Sequence, residues 1–341
     1  MLRVGVIGAT GYTGEELIKI LLKHTKVKIS YLSAKVEKPK KISEIFPYLK
    51  DKLLLLCDNF NIDRALKFCD LLFLAVPHTA SMQITPILLK NKKYVIDLSA
   101  DYRLKDKNLY EFWYKTKHRD RRNLKKAVYG LPEVYKEKIK KTRLVANPGC
   151  YPTAAILSIA PLLKYKICKI QYIYIDAKSG YSGAGRISDE QFYRDLKDNF
   201  KAYNVDLHRH LPEITEQISS LAERKLNIVF VTHLLPIERG ISETIYVNLN
   251  HRLKIKDSEL IGLYREFYKD KPFVRIKEKN HFPQIKDVAL TNFCDIGIKI
   301  SEDKKTIILI SCIDNLLKGA SGQAVQNMNI MFDFEETEAL L

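Results

Sequence analysis

The sequence predicts an α/β protein in two domains: an N-terminal dinucleotide-binding domain on a parallel sheet covered on both faces, then a second, α+β domain. Three observations carry this prediction. Leu2 to Ile7 is a short β-rich apolar run that enters a glycine-spaced turn and then a stretch of helical spacing. Asp70 to Val76 and Tyr94 to Leu98 are near-continuous apolar runs of strand length, as expected for parallel strands covered on both faces. From Lys169 to Ala177 the pattern becomes alternating, the signature of a half-solvated antiparallel strand. A chain of 341 residues also exceeds one ordinary core.

In chain order, the first run opens onto Gly8-Ala9-Thr10-Gly11-Tyr12-Thr13-Gly14, followed by helical spacing from Glu15 to His24. Strand, glycine turn and helix together form a dinucleotide-binding context. The glycines permit a tight turn and close approach of a pyrophosphate to the helix N-terminus, which supplies backbone donors. The spacing is GxxGxxG, and its position directly after an N-terminal strand gives it meaning. Gly8, Thr10, Gly11, Tyr12, Thr13 and Gly14 are therefore the candidate cofactor residues. Val27 to Ser33 reads as the second strand, whose end meets the adenine ribose. It carries no acidic residue; Ser33 and Lys35 offer a hydroxyl and a cation, which suit a 2′-phosphate and predict NADP over NAD. Ala80 to Lys90 reads as a helix. Pro77-His78-Thr79 and Ser99 to Arg103 then fall at the carboxyl ends of strands, where such sheets bind ligands.

Lys141 to Ala146 reads as strand and Thr153 to Leu163 as a buried helix. Asn147-Pro148-Gly149-Cys150-Tyr151-Pro152 is the junction between them. A thiol at a helix start, with unpaired N–H groups and the positive end of the dipole nearby, is stabilised as thiolate. Cys150 is the candidate nucleophile. The α+β domain begins here. Ser179 to Arg186 is a glycine-rich loop with hydroxyls, backbone donors and a cation suited to a phosphate or carboxylate. His208-Arg209-His210-Leu211-Pro212-Glu213 precedes a helical pattern from Ile214 to Arg224. A histidine here can deprotonate the thiol and hydrogen-bond an oxyanion, and the sequence leaves His208 and His210 as alternatives. Arg209 suits a carboxylate, and Glu213 suits orientation of an imidazole. No set of further ligands at suitable spacing supports a metal. Thr306 to Ile313 reads as strand; the helix opening at Asp314 to Asn327 carries Ala324, Met328 and Met331 on one face, which returns the chain to the first domain.

A formal charge of +17 is large enough to suit nucleic acid. Its densest runs, Lys35 to Lys41 and Lys115 to Lys126, lie between periodic segments without interleaved aromatics, so solvated loops are expected and nucleic acid is not. The same field favours an anionic small substrate. Six dispersed cysteines without a CxxC pair, no leader-like start and no apolar run of spanning length point to a reducing cytoplasm and no membrane.

These motifs together resemble the N-acetyl-γ-glutamyl-phosphate reductase family, relatives of aspartate-semialdehyde dehydrogenase. The resemblance runs nearly end to end, through Gly8 to Gly14, Asp97 to Leu104, Tyr129-Gly130-Leu131-Pro132-Glu133, Asn147 to Thr153, Ser182 to Arg186, His208 to Glu213 and Asn315 to Asn327. It implies a Rossmann-type NADP domain over 1–148 with 314–341, and a catalytic and oligomerising α+β domain of the aspartate-semialdehyde dehydrogenase type over 149–313. It further implies a Cys150 thioester, a catalytic histidine at His208 or His210, and a homodimer or homotetramer. Ser182, Gly183 and Asn315 are then expected at the cofactor, and Arg103, Ser179, Arg186, Arg209 and Glu213 at the substrate. The implied reaction is reduction of N-acetylglutamyl phosphate in arginine biosynthesis, with carrier-linked aminoadipyl phosphate as the alternative substrate. Lys35 stands where the family more usually has arginine, and Tyr181 and Ser321 replace commoner small apolar residues.

Overall fold

The computed structural model describes residues 1–186 and 190–341. They form two compact units, Met1–Pro148 with Ala320–Leu341, and Gly149–Gly319. The chain re-enters the first unit at Ala320, later than the expected 314. Asp314 and Asn315 remain in the second unit because they hydrogen-bond Leu290 and Gly240 there.

In the first unit the strands are β1 (Leu2–Ile7), β2 (Val27–Ser33), β3 (Lys40–Lys41), β4 (Leu56–Asp58), β5 (Leu71–Leu74), β6 (Tyr94–Asp97), β7 (Val128–Tyr129) and β8 (Leu144–Ala146). Their order is β3-β4-β2-β1-β5-β6-β8-β7, parallel except for the edge strand β3. The sequence doubles back at β1, flanked by β2 and β5. That crevice is where open α/β sheets bind ligands. Continuous apolar runs produce this sheet: all four residues of β5 are buried, as are Val4 to Ile7 of β1. The basic runs differ in form from the loops expected, since Lys40–Lys41 makes an exposed edge strand and Arg121–Lys126 a short helix capped by Asp120.

The loop after β6 is locked by a buried polar network. The Asp101 carboxylate accepts the N–H groups of Thr79 and Met82 at the start of the helix Ser81–Lys90 and the Tyr110 hydroxyl at 2.7 Å. Tyr102 donates to Asp120 at 2.6 Å, and His118 Nε2 lies 2.6 Å from the Asp101 carbonyl. Asp97, fully buried, takes the N–H and hydroxyl of Ser99; burial first, and the neighbouring Asp101 second, hold its carboxyl well above the ordinary range.

The second unit is built on β9 (Ile170–Ser179), β10 (Lys201–Tyr203), β11 (Asn227–Leu234), β12 (Ile241–Leu249), β13 (Val274–Ile276), β14 (Cys294–Ile300) and β15 (Thr306–Ile313). The order is β10-β11-β9-β12-β15-β14-β13. The alternation read in β9 is present. Its pairing is mixed, however: antiparallel to β12 and parallel to β11, because the helix Leu211–Leu221 lies between β9 and β11 in the chain. One face carries Ile173, Ile175, Ile245, Val247 and Leu309, all buried beneath helices that include Cys150–Lys164. The opposite face presents Tyr172, Tyr174 and Tyr246, each 38–39% exposed.

Candidate active site

Cys150 is the first residue of a 15-residue helix, Cys150–Lys164, with Gly149 as its N-cap in extended conformation. The helix therefore starts earlier than the expected Thr153. Pro152 is accommodated in the first turn because the N–H it lacks has no intrahelical partner there. The Gly149 N–H donates to the Glu213 carboxylate at 2.9 Å, and Thr153 Oγ1 closes the turn onto the Gly149 carbonyl. The Glu213 side chain is 1% exposed and fixes the main chain beside the thiol.

Two glycines shape the space around the cysteine. A Cβ on Gly149 would lie 2.5 Å from Nε2 of His210, so the imidazole rests directly on the residue preceding Cys150. A Cβ on Gly319 would lie 2.7 Å from the Cys150 Cβ. His208 stands differently. Its Nδ1 accepts the His210 N–H at 3.1 Å, and its ring meets Tyr151, Tyr203 and Phe230 edge-on. Burial, with Arg209 adding to it, pushes the His208 pKa down to about 4, so this ring is neutral near pH 7. The alternatives left open by the sequence thus separate: His210 abuts the Cys150 turn, and His208 is a packed acceptor that holds the His210 main chain.

The loop after β9 is pinned to the segment before β12. Tyr181 and Ser182 N–H groups donate to the carbonyls of Ile237 and Glu238, and Ser182 Oγ also donates to Glu238 at 2.6 Å. Asn315 bridges the two by accepting the Gly240 N–H at 2.6 Å and donating to Ser182 Oγ at 2.9 Å. Ser182 and Asn315, expected at the cofactor, are buried and committed to these internal bonds. Ser179 is buried with its hydroxyl on the Gly180 carbonyl, whereas Gly183, Arg186 and Arg209 are exposed. Arg239, which sequence reasoning does not single out, sits in this cluster 3.4 Å from the fully buried Asp314 carboxylate. An Arg-Gly pair just before a strand is its only local signal.

In the first unit the glycine turn has the geometry of a phosphate cradle. Gly8 has φ +89°, and a Cβ there would lie 2.0 Å from the Ala75 carbonyl oxygen; one on Gly14 would lie 2.2 Å from the Gly8 oxygen. Gly11 is different: nothing but the Gly8 oxygen at 3.6 Å comes near its Cβ position, leaving it exposed ahead of the helix Tyr12–Leu21. Thr10, Tyr12 and Thr13 are half-buried around it. These residues fit a dinucleotide pyrophosphate. At the end of β2, Lys35 is exposed. Ser33 is fully buried, and its carbonyl serves the turn by accepting the N–H groups of Gly8 and Ala9. Arg103 is buried, and its guanidinium donates to the Asn147 and Leu98 carbonyls, each at 2.8 Å. Among the described residues no helix is long and apolar enough to cross a membrane, and no cluster of His, Cys, Asp and Glu is arranged to hold a metal.

The family model "Semialdehyde dehydrogenase, NAD binding domain" matches residues 3–142, and "Semialdehyde dehydrogenase, dimerisation domain" matches residues 150–315. Among solved structures, aspartate semialdehyde dehydrogenase II from Vibrio cholerae aligns with a TM-score of 0.72 at 16% identity, covering 98% of this chain and 99% of that one. The enzyme from Candida albicans, solved with NADP, aligns with a TM-score of 0.74 at 15% identity, covering 97% and 98%. These likenesses establish the fold. Curated relatives are much nearer in sequence. N-acetyl-gamma-glutamyl-phosphate reductase of Desulfotalea psychrophila is 48% identical over 342 residues, covering 100% of this chain and 98% of the relative. Those of Geotalea daltonii and Campylobacter jejuni are each 46% identical, with 98% of each relative covered. With identity of this order along its whole length, the chain belongs to the N-acetyl-γ-glutamyl-phosphate reductase family.

Proposed function

We propose that this protein reduces N-acetyl-L-glutamyl 5-phosphate to N-acetyl-L-glutamate 5-semialdehyde and phosphate with NADPH, through a thioester on Cys150. The observation that carries this reading is the junction at Gly149-Cys150: a thiol at the start of a 15-residue helix, with the His210 imidazole against the preceding glycine. The helix N-terminus lowers the cost of a thiolate there. His210 takes the thiol proton, and the sulfur attacks the acyl carbon. The C–S bond forms, the C–O bond to phosphorus breaks, and phosphate leaves with the electron pair and, finally, the proton. NADPH, when bound, supplies the hydride that reduces the thioester carbonyl. His210 hydrogen-bonds the resulting oxyanion, which collapses by breaking the C–S bond and returns the thiolate.

Gly8, Thr10, Gly11, Tyr12, Thr13 and Gly14 would hold the dinucleotide phosphates, and exposed Lys35 would attract the 2′-phosphate. The exposed Gly183 lies in the same loop as Arg186, and the exposed Arg186 and Arg209 draw in the anionic substrate. Glu213 and His208 keep Gly149 and His210 in place. A second copy of the chain covers the tyrosine-rich face of the second sheet to give a homodimer, or pairs of dimers. Six cysteines outside any disulfide suit a cytoplasmic enzyme. The test is phosphate-dependent reduction of NADP by N-acetylglutamate semialdehyde. Turnover that needs phosphate, prefers NADP to NAD and disappears in Cys150→Ser supports the reading; a folded, NADP-binding preparation without turnover overturns it.

A further inference from the structure

We infer that Arg239 grips the phosphoryl group of the acyl-phosphate substrate, and that Asp314 is the positioning residue that aims its guanidinium. This rests on the acyl-phosphate reading above and identifies the group that recognises the phosphate. Three segments of the second unit converge here. The Arg239 side chain is 15% exposed, with one guanidinium nitrogen 3.4 Å from the Asp314 carboxylate. That carboxylate is itself fixed. Oδ1 accepts the N–H groups of Leu316 and Leu317, and Oδ2 accepts that of Leu290 at 2.8 Å. The Asp314 carbonyl accepts the Gly319 N–H at 2.9 Å, and Gly319 is the residue pressed against the Cys150 Cβ. A short run of contacts therefore leads from the guanidinium to the thiol-bearing residue.

The main chain of Arg239 is held as firmly. Gly240 donates to Asn315, Glu238 accepts from Ser182, and a Cβ on Gly180 would come within 2.8 Å of the Arg239 nitrogen. A largely desolvated guanidinium whose side chain and main chain are both anchored loses little freedom on binding and presents planar donors matched to phosphate oxygens. Arg186 and Arg209 are exposed, where screening by water weakens the same pairing. As the C–O bond to phosphorus breaks, the electron pair moves onto phosphate and Arg239 offsets the added charge. In reverse, a phosphate oxygen bonds to the thioester carbon, the C–S bond breaks, and the pair returns to the Cys150 sulfur.

The experiment uses the full chain as wild type, Arg239→Gln, Arg239→Lys and Asp314→Asn, with two readouts. One is the KM for inorganic phosphate in the oxidative direction. The other needs no turnover: protection of Cys150 by inorganic phosphate against the uncharged reagent iodoacetamide. Arg239→Gln is expected to raise both the phosphate KM and the half-protecting phosphate concentration about 10- to 100-fold, the loss of a charge-assisted hydrogen bond. Arg239→Lys should fall between, and the NADP dissociation constant should stay within about twofold. If Arg239→Gln does not fold, Asp314→Asn and Arg239→Lys carry the test through several-fold rises in phosphate KM. A raised KM for the semialdehyde at unchanged phosphate KM, or a fall in kcat or Tm alone, overturns the assignment. Phosphate protection lost in Arg239→Gln, in a protein that turns over no N-acetylglutamate semialdehyde, would uphold Arg239 while sinking the substrate reading.

Discussion

Gly149→Ala isolates the contribution of His210 from that of the fold. Gly149 has φ −68° and ψ 157°, a conformation that alanine adopts without strain, so the backbone does not resist the change. The added methyl does its damage elsewhere. It would lie 2.5 Å from His210 Nε2 and 2.9 Å from Cδ2 and Cε1, whereas ordinary contact begins near 3.4 Å. The imidazole must therefore retreat by about 0.9 Å from the residue beside Cys150. His210 cannot retreat freely, because its N–H is bonded to His208 and the helix Leu211–Leu221 follows at once. A misplacement of this size in a proton-transferring group costs on the order of 100-fold in rate. The same change costs about 1 kcal/mol in stability, as alanine is a poorer N-cap than glycine. Steady-state kinetics, alkylation of Cys150 and thermal unfolding on one preparation separate these effects. The expected pattern is kcat reduced about 100-fold, unchanged NADP affinity and a Tm lower by a few degrees. A variant that keeps kcat within threefold of wild type would refute the assignment of His210 as the proton-transferring group.

Further expectations follow from other parts of the molecule. Gly8→Ala puts a methyl 2.0 Å from the Ala75 carbonyl oxygen at a positive φ; it should destabilise the first unit by about 3 kcal/mol or more and abolish NADP binding, read by calorimetry. Lys35→Ala should raise the KM for NADPH about tenfold and leave that for NADH nearly unchanged, because the lost pairing is with the 2′-phosphate. His208 titrates near 4 in the fold and near 6.5 when unfolded, so the unfolded chain binds the extra proton first as pH falls. The stability it contributes is complete above pH 6.5 and declines toward pH 4, by up to about 3 kcal/mol, and His208→Gln should flatten that slope in urea titrations. Asp101→Ala removes the acceptor for Thr79, Met82 and Tyr110 and should cost about 3 kcal/mol with little change in KM for either substrate.

What the sequence makes legible is whatever is written locally. The apolar runs of β1, β2, β5 and β6 and the glycine spacing after β1 specify the dinucleotide crevice, since a parallel sheet buried on both faces requires such runs and a close phosphate approach requires such glycines. Cys150 is legible because glycine and proline flank it at a strand-to-helix junction. Partner choice is not local. That His210 and not His208 abuts Gly149, that Glu213 is spent on the Gly149 N–H, and that Arg103 and Ser33 turn inward depend on residues up to 64 positions apart. The contact between Gly319 and Cys150 spans almost the whole second unit and leaves no mark on either segment alone. The parallel pairing of β9 with β11 is hidden for the same reason: alternation records which face is buried, and it is silent on neighbour direction.

A covalent acyl-enzyme on Cys150 is tested most directly by rapid mixing of the protein with NADP and N-acetylglutamate semialdehyde in phosphate-free buffer. A burst of about one NADPH per active site followed by a stall is expected, with an acylated peptide containing Cys150 in the mass spectrum and release of the acyl group when phosphate is added. Steady NADPH formation in Cys150→Ser, or a wild-type burst with Cys150 left unmodified, would contradict it.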